Sequence, residues 1–137
     1  MSDITYPTKE TFSGWLSEVT KEGAYPAGLL PLFENDWIET ILNTFDLLKF
    51  PHYKNTLHHK GAHLFYKIIK NHKFGDGNKR SAVLSIYFFY SINGFVLLKN
   101  PDSIYNKAKE TAQSQSGESE KEIEQLEKWL EKISEKN

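Results

Sequence analysis

His72-Lys-Phe-Gly-Asp-Gly-Asn-Lys-Arg80 runs straight into Ser81-Ala-Val-Leu-Ser-Ile-Tyr-Phe-Phe-Tyr-Ser-Ile92, and the join between the two decides the fold. The second segment reads as a helix from about Asn78 to Ile92, stopped by Asn93-Gly94. Ala82, Val83, Ile86, Phe88, Phe89 and Tyr90 make it apolar nearly all round, the pattern of a helix enclosed by others. The first segment sets an imidazole, a carboxylate, an amide, cations and two glycines at the mouth of that buried hub. Lys79 and Arg80 fall near the helix start, where the macrodipole disfavours positive charge. Free backbone N–H groups at the same place attract anions. Cations there make sense around a phosphate.

Working outward, the remaining chain supplies the enclosing helices. Thr8 can cap a helix from about Lys9 to Lys21, with Phe12, Trp15, Leu16 and Val19 on one face and Gly23 at its end. Ala24 to Gly28 reads as a loop, and Pro31 suits the first turn of a second helix. Trp37, Ile38, Ile41, Leu42, Phe45 and Leu48 give that helix a broad core face, which Phe50-Pro51 breaks. A polar loop, His52 to Thr56, precedes a helix from Leu57 to Asn71 with Ala62, Phe65, Ile68 and Ile69 inward. Beyond the hub come an extended run (Phe95–Leu98), a helix from Pro101 to about Gln113, and a polar linker to Gly117. Ser119 and Glu122 pattern as a capping box for a last helix. Its narrow stripe of Ile123, Leu126, Leu130 and Ile133 is expected to dock on the body. The expectation is an all-α bundle of about six helices, forming one domain over residues 1–137.

Composition narrows the function. Net charge is −1, which argues against a general nucleic-acid or membrane-surface binder. Cysteine is absent, so thiol chemistry and disulfides are excluded. The N-terminal residues lack a signal-peptide pattern and no apolar run reaches membrane-spanning length, so a soluble cytoplasmic protein is expected. Arg80 is the only arginine, and it lies inside the dense stretch. Its planar fork offers phosphate contacts that lysine cannot reproduce.

The chemistry follows from residue type. Asp76 is a hard oxygen ligand suited to Mg²⁺, which needs few carboxylates when phosphates complete its shell. Gly75 and Gly77 let the backbone curl around an anion, and Asn78, Lys79 and Arg80 add donors and charge. His72 can take a proton from a hydroxyl near neutral pH. His59 and His63 stand four apart on one helix face, a metal-compatible spacing. They lack the glutamate of a zinc motif, and surface or partly buried histidines are the expected reading. Neither a dinucleotide fingerprint nor a Walker loop is present.

These residues resemble the signature of the Fic/Doc (Fido) family, His-x-Phe-x-Asp/Glu-Gly/Ala-Asn-Gly/Lys-Arg between two helices. The resemblance implies a Fido-type helical fold and Mg²⁺- and ATP-dependent transfer of a phosphate-containing group to a protein hydroxyl. His72 resembles the catalytic base, Asp76 the metal ligand and Phe74 the buried anchor of the loop. Gly75, Gly77, Asn78, Lys79 and Arg80 resemble the phosphate-binding loop. The Pro51–Thr56 loop, with His52, Tyr53, Lys54 and Asn55, resembles the flap that aligns the target segment by strand-like pairing.

Two departures point to one branch. Members that transfer AMP usually have glycine where Lys79 stands and a second arginine where Val83 stands. The Doc branch, which the chain is most similar to in these respects, is implied to pass the terminal phosphate of ATP to a threonine of a translation factor. Gly77, commonly alanine in that branch, keeps AMP transfer as an alternative; a non-catalytic helical binding module is another. Self-inhibited relatives carry Ser/Thr-x-x-x-Glu-Gly/Asn. Here Glu18 and Leu30 occupy the Ser/Thr position before Glu22-Gly23 and Glu34-Asn35. The resemblance then implies restraint by a separate antitoxin protein.

Overall fold

The computed structural model describes residues 3–22, 35–70, 76–114 and 119–137. Among them the chain forms six helices, α1 (Lys9–Glu22), α2 (Asn35–Leu47), α3 (Leu57–Lys70), α4 (Asp76–Ile92), α5 (Pro101–Gln113) and α6 (Ser119–Ile133). Two three-residue strands, β1 (Phe95–Leu97) and β2 (Ser134–Lys136), complete the described elements. The all-α expectation holds, with α4 as the enclosed helix. Ala82, Val83, Leu84, Ile86 and Phe89 are wholly buried along it.

Local chemistry explains most boundaries. Thr8 caps α1 reciprocally with Thr11: the Thr11 amide donates to Thr8 Oγ1 at 3.1 Å and the Thr8 amide to Thr11 Oγ1 at 2.9 Å. Threonine thus fills the place that glutamate takes in the usual capping box. Asn100 caps α5 by accepting from the Ser103 amide at 2.8 Å, with Pro101 at the first helical position. Ser119 is the first helical residue of α6 rather than its cap. Gly94, at φ 79°, ends α4 in the left-handed conformation that glycine adopts without strain. Gly23 and Pro31, expected to end α1 and begin α2, lie outside the described residues.

The packing wraps α4 from several sides. Phe12 of α1 stacks on Phe88 at 5.0 Å and Phe45 of α2 meets Phe89 edge-on at 5.2 Å. The start of α3 lies beside the end of α4, with His58 Nδ1 2.8 Å from the Tyr90 hydroxyl. Leu126, Leu130 and Ile133 of α6 are buried, so its apolar stripe docks on the body as expected. Phe65 of α3 faces Trp129 of α6 at 5.7 Å. β2 was not anticipated. It pairs antiparallel with β1, Val96 opposite Glu135, and the Asn137 amide extends the ladder to Gly94 O at 2.8 Å. Lys60, on α3, is only 5 % exposed: its ammonium bonds the Tyr6 hydroxyl and lies 5.2 Å from that ring's centre. That contact ties residues 3–8 to the bundle.

Candidate active site

Helix α4 starts at Asp76, two residues earlier than its pattern predicts. Asp76, Gly77 and Asn78 therefore open the helix, and their amide hydrogens have no acceptor within it. His72, Phe74 and Gly75 lie outside the described residues, and of Asp76 and Gly77 only the backbone is described. Asn78 is 3 % exposed and Ser81 fully buried, while Lys79 and Arg80 are half-buried. Asn78, Lys79 and Ser81 are all engaged with partners. Arg80 differs: its Nε is buried and has no hydrogen-bond partner among the described residues.

That arrangement conflicts with simple helix energetics. A cation in the opening turns faces the positive end of the dipole, and a buried donor without an acceptor costs roughly 1–3 kcal/mol. An anion seated at the helix start would relieve both penalties, at the place where helix amides lack acceptors within the helix itself. Phosphate chemistry fits this donor set. Val83, one turn beyond Asn78 and Lys79, is fully buried in the hydrophobic core and supplies no charge.

The second part of the site is the loop between α2 and α3. Tyr53 folds back along the outer face of α3. Its ring is 4.8 Å from His63, edge-on, and Lys67 Nζ lies 5.8 Å from its centre. Lys67 is one turn from the end of α3, which leads into the 72–80 stretch. The His52 ring lies beside that of Tyr53, tilted, at 4.2 Å. Within His52 to Asn55, only the Tyr53 amide has a backbone acceptor among the described residues, Phe50 O at 3.2 Å. The amides of His52, Lys54 and Asn55 have no backbone acceptor among the described residues and are available to another strand. Lys54 and Asn55 are exposed.

Between this loop and α6 runs a groove of about 620 Å³. His52, Tyr53, Lys54, His59 and His63 form one wall; Glu120, Ile123, Glu124, Glu127, Lys128 and Glu131 form the other. His59 Nδ1 lies 3.0 Å from Glu127 Oε1, which fixes its ring 4.6 Å from that of His63. Burial pushes the His63 pKa down to about 4, with His59, Lys67 and His52 adding to the shift and Glu127 opposing it. His63 is therefore neutral at physiological pH. Its neighbour His58 is lowered too, by burial against the pull of Glu131 and Glu127.

The histidine pair is not assembled as a metal site. Among the described residues no group of three His, Cys, Asp or Glu side chains is placed to hold an ion. Both histidines are partly buried, as their sequence context implied: His59 bonds Glu127, and His63 meets the rings of Tyr53 and His59 edge-on. The glutamate wall of α6 was missed at the level of sequence, where the Lys/Glu-rich tail reads as a solvated face. Its signal was present in the spacing of Glu120, Glu124, Glu127 and Glu131, which repeats with the helix period beside the apolar stripe.

Comparison with known proteins agrees with the residues rather than extending them. Among the described residues no helix is long and apolar enough to cross a membrane. No curated protein and no solved structure matches the chain. Residues 34–90 do match the model of the Fic/DOC family, a span holding α2, the 51–56 loop, α3, the 72–80 stretch and most of α4, and the match supports a Fic/Doc relationship there.

Proposed function

We propose that residues 1–137 form a single Fic/Doc-like domain that transfers the terminal phosphate of Mg·ATP to a serine or threonine hydroxyl of a protein. The family match over residues 34–90 supports a Fic-type protein-modifying enzyme. The observation that carries the phosphate-handling reading is the buried Nε of Arg80, which has no hydrogen-bond partner among the described residues, in the opening turns of α4.

In this reading His72 is the base and accepts the proton of the target hydroxyl. The hydroxyl oxygen bonds to the terminal phosphorus as the bond from that phosphorus to its bridging oxygen breaks, and ADP leaves. Asp76 is the residue to hold Mg²⁺, which when bound offsets the charge of the phosphates. The amides of the first turn of α4, with Asn78, Lys79 and Arg80, cradle the remaining phosphate oxygens. Gly75 and Gly77 admit the close backbone approach, and Phe74 seats the loop. In the His52–Asn55 loop, the amides of His52, Lys54 and Asn55 are the ones presented to an extended target segment.

Two features favour phosphate over AMP transfer. Lys79 occupies space that glycine leaves open, and Val83 is in the core instead of offering a second guanidinium. A translation elongation factor is the target class that the Doc-like features imply. A separate antitoxin protein is the implied restraint, and the cytoplasm is where both would be met.

The test is label transfer into a lysate of the native host. ATP labelled at the γ position should mark a protein serine or threonine, and ATP labelled at the α position should mark none. Strong α-label incorporation would replace this reading with AMP transfer. Mg·ATP binding with neither label transferred would favour a helical binding module.

A further inference from the structure

The groove beside the flap-like loop has a marked asymmetry. Its carboxylates outnumber its ammonium groups four to two. Glu127 is engaged by His59 at 3.0 Å, and Glu124 makes only an exposed pair with Lys128 at 3.8 Å. Glu120 and Glu131, both exposed, have no cation within ion-pair distance among the described residues. The opposite wall supplies aromatic faces and, at Lys54 and His52, open backbone amides. One side therefore matches an extended backbone and the other matches positive charge.

We infer that this groove receives an extended segment of the protein substrate carrying lysine or arginine beside the modified hydroxyl, and that Glu120, Glu124 and Glu131 select it. The inference rests on the transferase reading for what happens to the hydroxyl, but not for the binding itself. Glu120 to Glu131 spans about 16 Å of helix, the length of about five extended residues. The positions that matter thus lie within a few residues of one another on the partner. Tyr53, between the groove and Lys67, sets the segment's course toward the end of α3 that leads to His72. Such complementarity acts more on choice of partner than on raw affinity.

The test uses the full chain without nucleotide. Two fluorescein-labelled peptides of about nine residues, each with a central threonine, carry either lysine or glutamate at the flanking alternate positions. Fluorescence anisotropy should show the lysine peptide binding about tenfold more tightly, the scale of a few exposed ion pairs acting together. The preference should shrink as salt rises from 0.05 to 0.5 M, because exposed pairs are screened. The triple variant Glu120→Lys, Glu124→Lys, Glu131→Lys should abolish or reverse it. A control variant with the same charge change elsewhere on the exposed surface, Glu18→Lys, Glu110→Lys, Glu135→Lys, should keep it. The milder Glu→Gln set serves if circular dichroism shows the lysine set misfolded.

Equal affinity for the two peptides, no binding of either, or equal loss in the control variant would overturn the inference. Because no transfer is measured, its failure is distinct from failure of the phosphotransferase reading. Label transfer without any lysine preference removes the groove's role alone; lysine preference without label transfer leaves the groove standing and removes the chemistry.

Discussion

The two ends of the α3–α4 pair are built from the same helices and solve opposite problems. At the end where α3 begins and α4 stops, the principal polar groups meet partners within the fold. The Tyr90 hydroxyl meets His58 Nδ1 at 2.8 Å, and burial raises the Tyr90 pKa so that it stays a phenol. Asn93 donates to Phe89 O and Thr5 O, and accepts from the Thr5 amide at 2.7 Å. At the other end the opening turn of α4 holds a buried Arg80 Nε with no acceptor among the described residues, against the helix dipole. The first arrangement is what stability alone produces. The second is costly in the isolated chain and becomes favourable when an anion arrives.

If that contrast is right, changes at the open end should remove activity and spare stability, and changes at the closed end should do the reverse. The largest effect belongs to His72→Ala. A positioned base contributes about 10²–10⁴-fold, so label transfer should fall by that factor while the thermal unfolding midpoint stays put. Near-normal transfer by the variant would remove His72 from the chemistry.

Gly61→Ala should be the next largest effect, and on stability alone. A methyl group there would sit 3.0 Å from Tyr90 Cε1 and 3.1 Å from its hydroxyl, with Ile86 Cδ1 at 3.3 Å. Tyr90 cannot easily yield, because His58 and Phe95 hold it. Overpacking of about 1–3 kcal/mol then outweighs the roughly 1 kcal/mol that alanine gains over glycine in a helix. Urea unfolding should show a loss, with Mg·ATP affinity of the folded protein unchanged. Tyr90→Phe should cost about 1 kcal/mol, the scale of one hydrogen bond. It should also soften the penalty of Gly61→Ala when the two are combined. Strict additivity would mean the two residues do not share the site.

The smallest effect is a pH dependence. The pKa of His63 is lowered to about 4 from 6.5, so the unfolded chain binds more protons than the folded one between those values. Its contribution to stability is complete above pH 6.5 and is lost as pH falls toward 4. His58 acts in the same direction. The midpoint of His63→Leu should therefore decline less between pH 6.5 and 4.5 than that of the unmodified protein. Parallel curves would show that His63 is not held neutral by the fold.

How much of this was legible in the sequence differs by region. The all-round apolar pattern of 81–90 marked α4 as the hub because an enclosed helix has no solvent face to keep polar. Thr8, Pro101 and Gly94 announced their caps because those roles depend on local backbone chemistry. Ser134-Glu-Lys136 gave no such warning: nothing local makes this polar run a strand, and its pairing with Phe95–Leu97 is purely tertiary. Lys60 was equally opaque, because its burial depends on a tyrosine 54 positions away. For the candidate site, residue chemistry pointed to the 72–80 stretch, whereas its geometry from His72 to Gly75 lies outside the described residues. The course of Tyr53 over His63 and Lys67 needed the register of α3, which the loop sequence does not contain.

One measurement sets the two ends directly against each other: the thermal midpoint with and without saturating Mg·ATP. A ligand at one hundred times its dissociation constant stabilises by about 2.7 kcal/mol. The unmodified protein and Gly61→Ala should rise by similar amounts, though from different baselines, while Arg80→Ala should rise little or not at all. An equal rise in Arg80→Ala would contradict the assignment of the α4 N-terminus as the nucleotide-phosphate site.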